Sequence, residues 1–242
     1  IIGRLVGSEM CIRDRTNAEL LRGQYSPGDS LIAQIQTNGR GRHGRSWQDH
    51  PQSFKGSWVL DEKHLSSIDL KMQLYVAHEI SHALRLNKQH IEQLKIKWPN
   101  DLLLRETTEQ QWRKFGGILF QSYSKGSKQR MVLGLGINTD SENCREGQSS
   151  LGQLGIDISN SELFAILNAV VASIFEAKHT ALEAGGEQAI NNDVVLRDCI
   201  YRNKSCTLFD IQSRDITLKD ESGRCFSVDD DDQIKWINLH PQ

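Results

Sequence analysis

The chain has 242 residues, 38% of them hydrophobic, with 29 Lys and Arg against 31 Asp and Glu for a net charge of −2. That length suits one large or two unequal domains, and near-neutrality excludes a surface built for wholesale nucleic-acid binding. The five cysteines (Cys11, Cys144, Cys199, Cys206, Cys225) contain no C-x-x-C pair, which excludes a disulfide framework and a zinc knuckle, and no apolar run approaches the ~20 residues of a membrane span.

Residues 1–15 carry no clear period and are set aside as a candidate foreign start, too short and interrupted for a signal peptide. The odd cysteine count reads as reduced thiols. Thr16 and Asn17 are placed to cap a short helix, AELLRG, that Gly23 ends. Ser26-Pro27-Gly28-Asp29 reads as a turn, and SLIAQIQT as a strand with Leu31, Ala33 and Ile35 on one face. SFKGSWVL predicts the next strand. Residues 69–87 predict an amphipathic helix, with Leu70, Leu74, Ala77, Ile80 and Leu84 at spacings of three and four. Leu94 to Trp98 predicts a strand entering a Pro turn, with 102–104 as its return. The polar run 105–114 reads as a hairpin loop, and FGGILFQSY and QRMVLGLGIN as two further strands. A loop, CREGQSSLGQLG, leads to a helix over 160–184, capped by Ser159 or Asn160 and built on a stripe of Leu163, Ile166, Leu167, Val170, Val171, Ile174 and Phe175. From about Lys204 the texture changes to short alternating strands, which predicts a small β module. Asp229 to Asp232 reads as a solvated acidic turn.

The densest chemistry lies between Gln36 and Trp47, QTNGRGRHGRSW, with three glycines, three arginines and no acid. Gly39, Gly41 and Gly44 satisfy G-x-G-x-x-G, and Gly39, Gly44, Arg45 and Ser46 nearly satisfy a P-loop. Both motifs need a helix to begin at the loop so that its N-terminus can hold phosphate, and Gln48 to Pro51 predict none. What remains is a mobile cationic loop after a strand, suited to close over an anion through arginine forks. In an extended loop Arg40 and Arg42 share a face, with Arg45 pointing elsewhere. Lys97-Trp98-Pro99-Asn100-Asp101 puts a lysine at a strand end before a rigid turn, shaped by Asn100 and Asp101. Gly116, Gly117, Gly134 and Gly136 sit inside predicted strands, where glycine marks close approach of a ligand or a bulge. His78-Glu79-x-x-His82 matches H-E-x-x-H, but Arg85 and Lys88 stand where an extended zincin pattern has glycine and histidine, so a solvated helix face explains the pair.

The loop followed by KWPND resembles the biotin protein ligase family, here its catalytic and C-terminal domains with no DNA-binding segment ahead of them. The resemblance implies an α/β fold: a mixed, largely antiparallel sheet with helices on one side over 16–200, then a small SH3-like β-barrel over 201–242. It implies that Thr16 and Gln36 bind the ureido ring of biotin beside Asn17, in a pocket next to which the family has serine where this chain has Arg15. Gly39, Arg40, Gly41, Arg42 and Arg45 would then cover carboxylate and phosphate, with Trp47 packed by the adenylate and Asn138 facing the adenine. Lys97 and Arg42 would act on the reacting groups, and Gly117 would bring backbone close to the ligand. Biotin, ATP and Mg2+ are the implied substrates and cofactor, with a biotin carboxyl carrier protein as partner, a homodimer as the assembly, and no membrane or nucleic acid. The implied location is cytoplasmic. The rivals are a lipoate–protein ligase of the same fold, a zinc peptidase and a non-catalytic polyanion-binding module.

Overall fold

The computed structural model describes residue 5 and residues 12–47, 52–61, 70–84, 93–106, 111–126, 128–140, 144, 146–183, 199–202, 204–212, 215–228 and 234–236. In chain order they form β1 (Ile12–Arg13), α1 (Thr16–Arg22), β2 (Ser30–Ile32), β3 (Ile35–Gln36), β4 (Phe54–Leu60), α2 (Leu70–Leu84), β5 (Leu94–Lys97), β6 (Asp101–Leu104), β7 (Arg113–Lys125), β8 (Lys128–Ile137), α3 (Asn160–Glu183), β9 (Cys199–Tyr201), β10 (Lys204–Gln212), β11 (Asp215–Asp220), β12 (Cys225–Val228) and β13 (Ile234–Trp236). The sequence-predicted acidic turn at Asp229 to Asp232 and the glycines after α3 lie outside the described residues.

An 11-stranded sheet runs β13-β12-β11-β10-β9-β5-β6-β7-β8-β4-β2, and β1 pairs separately and in parallel with β3. The large sheet is antiparallel throughout except where β9 meets β5 at Cys199 and Ile96. This is a mixed α/β architecture with one large antiparallel sheet and few helices. The single strand predicted over SLIAQIQT is two short ones, β2 and β3, which join different sheets. Among the described residues no helix is long and apolar enough to cross a membrane.

Side-chain alternation along β4 divides the molecule. Phe54, Trp58 and Leu60 point into the main core with Leu74, Ala77, Ile80 and Leu84 of α2 and Leu163, Leu167, Val171 and Ile174 of α3. Val59 points the other way, into a separate cluster with Leu20 of α1, Leu31 and Val132. The expectation of helices on one side therefore needs correction: α2 and α3 cover one face, and α1 covers the other. The period of two in the strand forces the split, because neighbouring residues serve opposite faces. Trp58 anchors α3 by stacking on Phe164 at 5.9 Å and donating from Nε1 to Asn168 Oδ1 at 3.0 Å.

The helix ends are set locally. Ser159 caps α3 as predicted: the Glu162 carboxylate accepts from Ser159 N at 3.0 Å and Oγ at 2.7 Å, while Glu162 N donates to Ser159 Oγ at 3.2 Å. That reciprocal pairing holds the Glu162 carboxyl below its ordinary range. α1 departs from expectation. Its N-cap is Arg15, with no side-chain cap, and Thr16 is already inside the helix. Its C-terminus is held by the Arg130 guanidinium of β8, which donates to Leu20 O at 3.0 Å, to Tyr25 O at 2.9 Å and to Gly23 O. A cation at the last carbonyls fits the helix dipole.

His78 and His82 lie on α2 with ring centroids 6.2 Å apart. His82 is exposed, but His78 is buried, which corrects the solvated-face reading for that residue. Among the described residues no group of three or more His, Cys, Asp or Glu side chains gathers that could hold a metal ion.

Candidate active site

A cavity of about 210 Å³ opens on the α1 face of the sheet, where β7 and β8 turn small and polar residues such as Gly117, Gln121, Gly134 and Gly136. One end is a connected polar network. Gln36 Oε1 accepts from Thr16 N at 2.9 Å and Thr16 Oγ1 at 3.2 Å. Ser57 Oγ, fully buried on β4, lies 2.7 Å from Thr16 Oγ1 and 2.6 Å from Asn17 Oδ1. Asn17 Nδ2 donates to Gln121 Oε1 at 2.9 Å and to Leu119 O at 3.3 Å. The network fixes α1 against β4 and β7, so each amide and hydroxyl has a defined orientation before any ligand arrives.

The strand glycines make room for these walls. A Cβ on Gly134 would lie 2.3 Å from Asn17 Oδ1, and one on Gly136 would lie 2.6 Å from the Trp47 indole. A Cβ on Gly117 would lie 3.3 Å from that indole, and one on Gly39 would lie 2.7 Å from the Trp47 carbonyl oxygen. The close approach at these glycines, expected to mark either a ligand or a bulge, is made by Asn17 and Trp47, which in turn line the cavity. The Trp47 Nε1–H is buried without a hydrogen-bond partner. It is a donor available at the site.

The Gly–Arg loop is folded back on itself. Gly41 N donates to Arg45 O at 2.7 Å, Trp47 N to Gly39 O at 2.9 Å, and Arg40 bridges Ser46. Between them Arg42–Gly44 forms a 3-10 turn in which Arg45 N donates to Arg42 O at 3.1 Å, and Gly44 takes a φ of 73°. That left-handed conformation is why glycine stands at position 44. The loop is therefore not extended, and Arg45 does not point elsewhere: Arg40, Arg42 and Arg45 all line the cavity.

Opposite the loop stands the β5–β6 hairpin. Lys97, half-buried at the end of β5, pairs in register with Asp101, and Trp98, Pro99 and Asn100 form the turn between them. Asn100 ties that turn to β7: its Nδ2 donates to Ile118 O at 2.6 Å, and its carbonyl accepts from Ile118 N at 3.0 Å. Asp101 does more than shape the turn. Lys114 Nζ on β7 lies 2.5 Å from Asp101 Oδ1 and 5.5 Å from the Trp47 ring centroid.

The structure thus gathers Thr16, Asn17, Gln36, Arg40, Gly41, Arg42, Arg45, Trp47, Lys97 and Gly117 around one cavity. Two predicted residues are not in its lining. Gly39 supports Trp47 from behind. Asn138, expected at the adenine, donates from Nδ2 to Ser149 O at 3.1 Å and accepts at its carbonyl from Leu151 N at 3.0 Å, so it stitches the loop after β8. Sequence reasoning missed Ser57, Gln121 and Lys114. For Ser57 the signal was the period of two along β4, which sets it opposite in facing to Phe54 and Trp58.

The family model for biotin/lipoate A/B protein ligases matches residues 10–138, from the start of the described fold through the end of β8. The bifunctional ligase/repressor BirA of Escherichia coli K12 is 31% identical over 181 residues, covering 69% of this chain and 53% of that protein. The biotin–[acetyl-CoA-carboxylase] ligase of Paracoccus denitrificans is 35% identical over 130 residues, covering 52% of this chain and 51% of that protein. The chain spans about half the length of these curated relatives. Among solved structures, the biotin protein ligase of Aquifex aeolicus in complex with biotin and ATP aligns with a TM-score of 0.66 at 22% identity, covering 96% of this chain and 94% of that one. That likeness establishes a shared fold. The matched segment holds every residue that lines the cavity, and the chain belongs to the biotin/lipoate A/B protein ligase family.

Proposed function

We propose that this chain is an ATP-dependent biotin protein ligase, a biotin–[acetyl-CoA-carboxylase] ligase. A biotin carboxylate oxygen attacks the α-phosphorus of ATP, the bond to the bridging oxygen breaks, and biotinyl-5′-AMP and pyrophosphate form. The ε-amine of a lysine on a biotin carboxyl carrier protein then attacks the acyl carbon, losing a proton as AMP leaves. The observation that carries this reading is a pre-ordered polar network (Thr16, Asn17, Gln36 and Gln121, backed by buried Ser57) sharing one cavity with Lys97 and the three loop arginines. A ureido ring needs fixed donors and acceptors at one end, and a reacting carboxylate and phosphate need cations at the other. The dithiolane of lipoate would leave those buried polar groups without a ligand partner, so the network favours biotin over a lipoate ligase. No protein nucleophile is required.

The divalent cation that accompanies ATP neutralises its phosphates. Asp101, the cavity's acid among the described lining residues, is engaged by Lys114, which favours holding Mg2+ through the substrate's own phosphates. The antiparallel meander of β9 to β13, with a register shift in β10 between Leu208 and Asp210, supports the reading of an SH3-like module over 201–242. The homodimer and the cytoplasmic location implied by the family resemblance belong to the same reading. The deciding experiment is biotin-dependent ATP–pyrophosphate exchange, with lipoate as control. Exchange with biotin alone is the expected result, and exchange with lipoate alone would replace biotin as the substrate.

Arg15 bears on affinity. It caps α1 without a side-chain bond, lines the cavity, and pairs its Nε with Asp14 Oδ2 at 3.4 Å. Arg15→Ser supplies a helix-capping hydroxyl worth about 1 kcal/mol and removes a bulky cation beside the polar network. We expect the variant to bind biotin more tightly by isothermal titration and to melt about 2–4 °C higher. Equal affinities would show that the arginine is harmless to the pocket.

A further inference from the structure

Lys55 on β4 is 1% exposed, and no other lysine or arginine among the described residues is buried. Lysine is rarely enclosed so completely, because its ammonium must find partners to leave water. Strand alternation turns Lys55 to the same face as Ser57, away from Phe54 and Trp58. In register it pairs with Gly136, as Ser57 pairs with Gly134, and both glycines line the cavity. Lys55 itself is not in that lining. Its Nζ instead donates to Gln34 O at 2.5 Å, while its own carbonyl accepts from Ala33 N at 3.0 Å.

Those two contacts fall where the chain changes sheets. β2 belongs to the 11-stranded sheet and β3 to the two-stranded one, so Ala33 and Gln34 form the bend between them. A carbonyl turned out of a ladder needs a donor, and a charged donor holds it more firmly than a neutral one. Gln34 is exposed on its side-chain side, which leaves the bend little apolar packing. Two residues on stands Gln36, whose Oε1 accepts from Thr16 N and Oγ1. The β1–β3 ladder has only the pairs Ile12–Ile35 and Arg13–Gln36, too short to fix β3 by itself.

We infer that Lys55 is a positioning residue for the ureido end of the cavity: its ammonium clamps the bend at Gln34 and thereby sets Gln36 against Thr16. This rests on the reading of the chain as a biotin ligase. The cations at the other end of the cavity stand on other segments, so the clamp bears on one substrate and not on the nucleotide.

The test is a double-mutant cycle on the full chain. Lys55→Met keeps the length and apolar stem and removes the ammonium. It is expected to weaken biotin binding by about tenfold in isothermal titration, the effect of losing one charge-assisted hydrogen bond, with Mg-ATP affinity unchanged. In the exchange assay the loss should fall on the KM for biotin and leave kcat at saturation. Gln36→Ala weakens biotin binding by itself, and Lys55→Met added to it should cost nothing further. Lys55→Gln, which keeps a donor on a shorter stem, should retain more biotin affinity than Lys55→Met. Additive losses in the double variant would overturn the inference, as would Lys55→Met with biotin affinity intact or with an equal loss for ATP. So would losses that follow the melting temperature of each variant rather than its donor, or variants that do not fold. If the wild type itself binds no biotin, the functional reading fails, and amide hydrogen exchange still scores the clamp without a ligand. Thr37 N, which donates to Arg13 O at 2.9 Å, should then exchange faster in Lys55→Met than in the wild type, and equal rates would remove the clamp.

Discussion

Replacing Lys97 by alanine is expected to lower biotin-dependent ATP–pyrophosphate exchange by about two to three orders of magnitude, the usual cost of removing one donor that acts on developing charge. Lys97 ends β5 where the chain must turn at once, so its backbone is fixed on one side by pairing with Asp101 and on the other by the turn that Asn100 ties to Ile118. A lysine fixed at its base carries a compact ammonium on a flexible stem, suited to a charge that moves from the carboxylate to the phosphate during attack. The groups that would hold the ureido ring, Thr16, Gln36 and Ser57, are bonded to one another and do not depend on Lys97. Biotin affinity should therefore persist in the variant while kcat collapses. An exchange rate close to wild type would remove Lys97 from the reaction.

Arg42→Gly is expected to leave adenylation running but to let the intermediate escape. Biotinyl-AMP is a mixed anhydride that reacts with exposed amines, so the loop must retain it until the carrier docks. The fold of the loop is made by backbone bonds: Gly41 N to Arg45 O, Trp47 N to Gly39 O, and Arg45 N to Arg42 O. None of these needs the Arg42 side chain, which lines the cavity. Its removal should cost about 1.5–3 kcal/mol, the worth of a charge-assisted hydrogen bond, or about ten- to a hundredfold in retention. Unrelated proteins added to the reaction should then be biotinylated, as streptavidin blotting beside the wild type would reveal. A variant that turns over ATP yet labels only the carrier would show that this arginine is not the gate.

What the sequence by itself determined was everything encoded within a few residues. The stripe of α3 and its Ser159–Glu162 cap follow from spacing and capping chemistry, and the β5–β6 hairpin follows from a strand pattern broken at Pro99. The concentration of arginine and glycine between Gln36 and Trp47 marks a candidate anion-binding loop, and its three arginines line the cavity. Tertiary structure decided the rest, because it depended on register between strands distant in the chain. Thr16 looks like a cap in isolation, but β4 brings Ser57 to it across 41 positions and makes it part of a network. Asn17 meets Gln121 only because β7 and β8 pair from Gly116 to Lys125, and Gly134 is empty because that amide fills its place. The split of α1 from α2 and α3 turns on which alternate residues of β4 face which side, and a one-residue slip would reverse it. In the sequence Asp101 reads as a residue shaping the turn after Pro99, and Lys114 as the end of a polar hairpin run. Their meeting beside Trp47 depends on the pairing of β6 with β7, with its register shift between Leu102 and Leu103, which has no local signature.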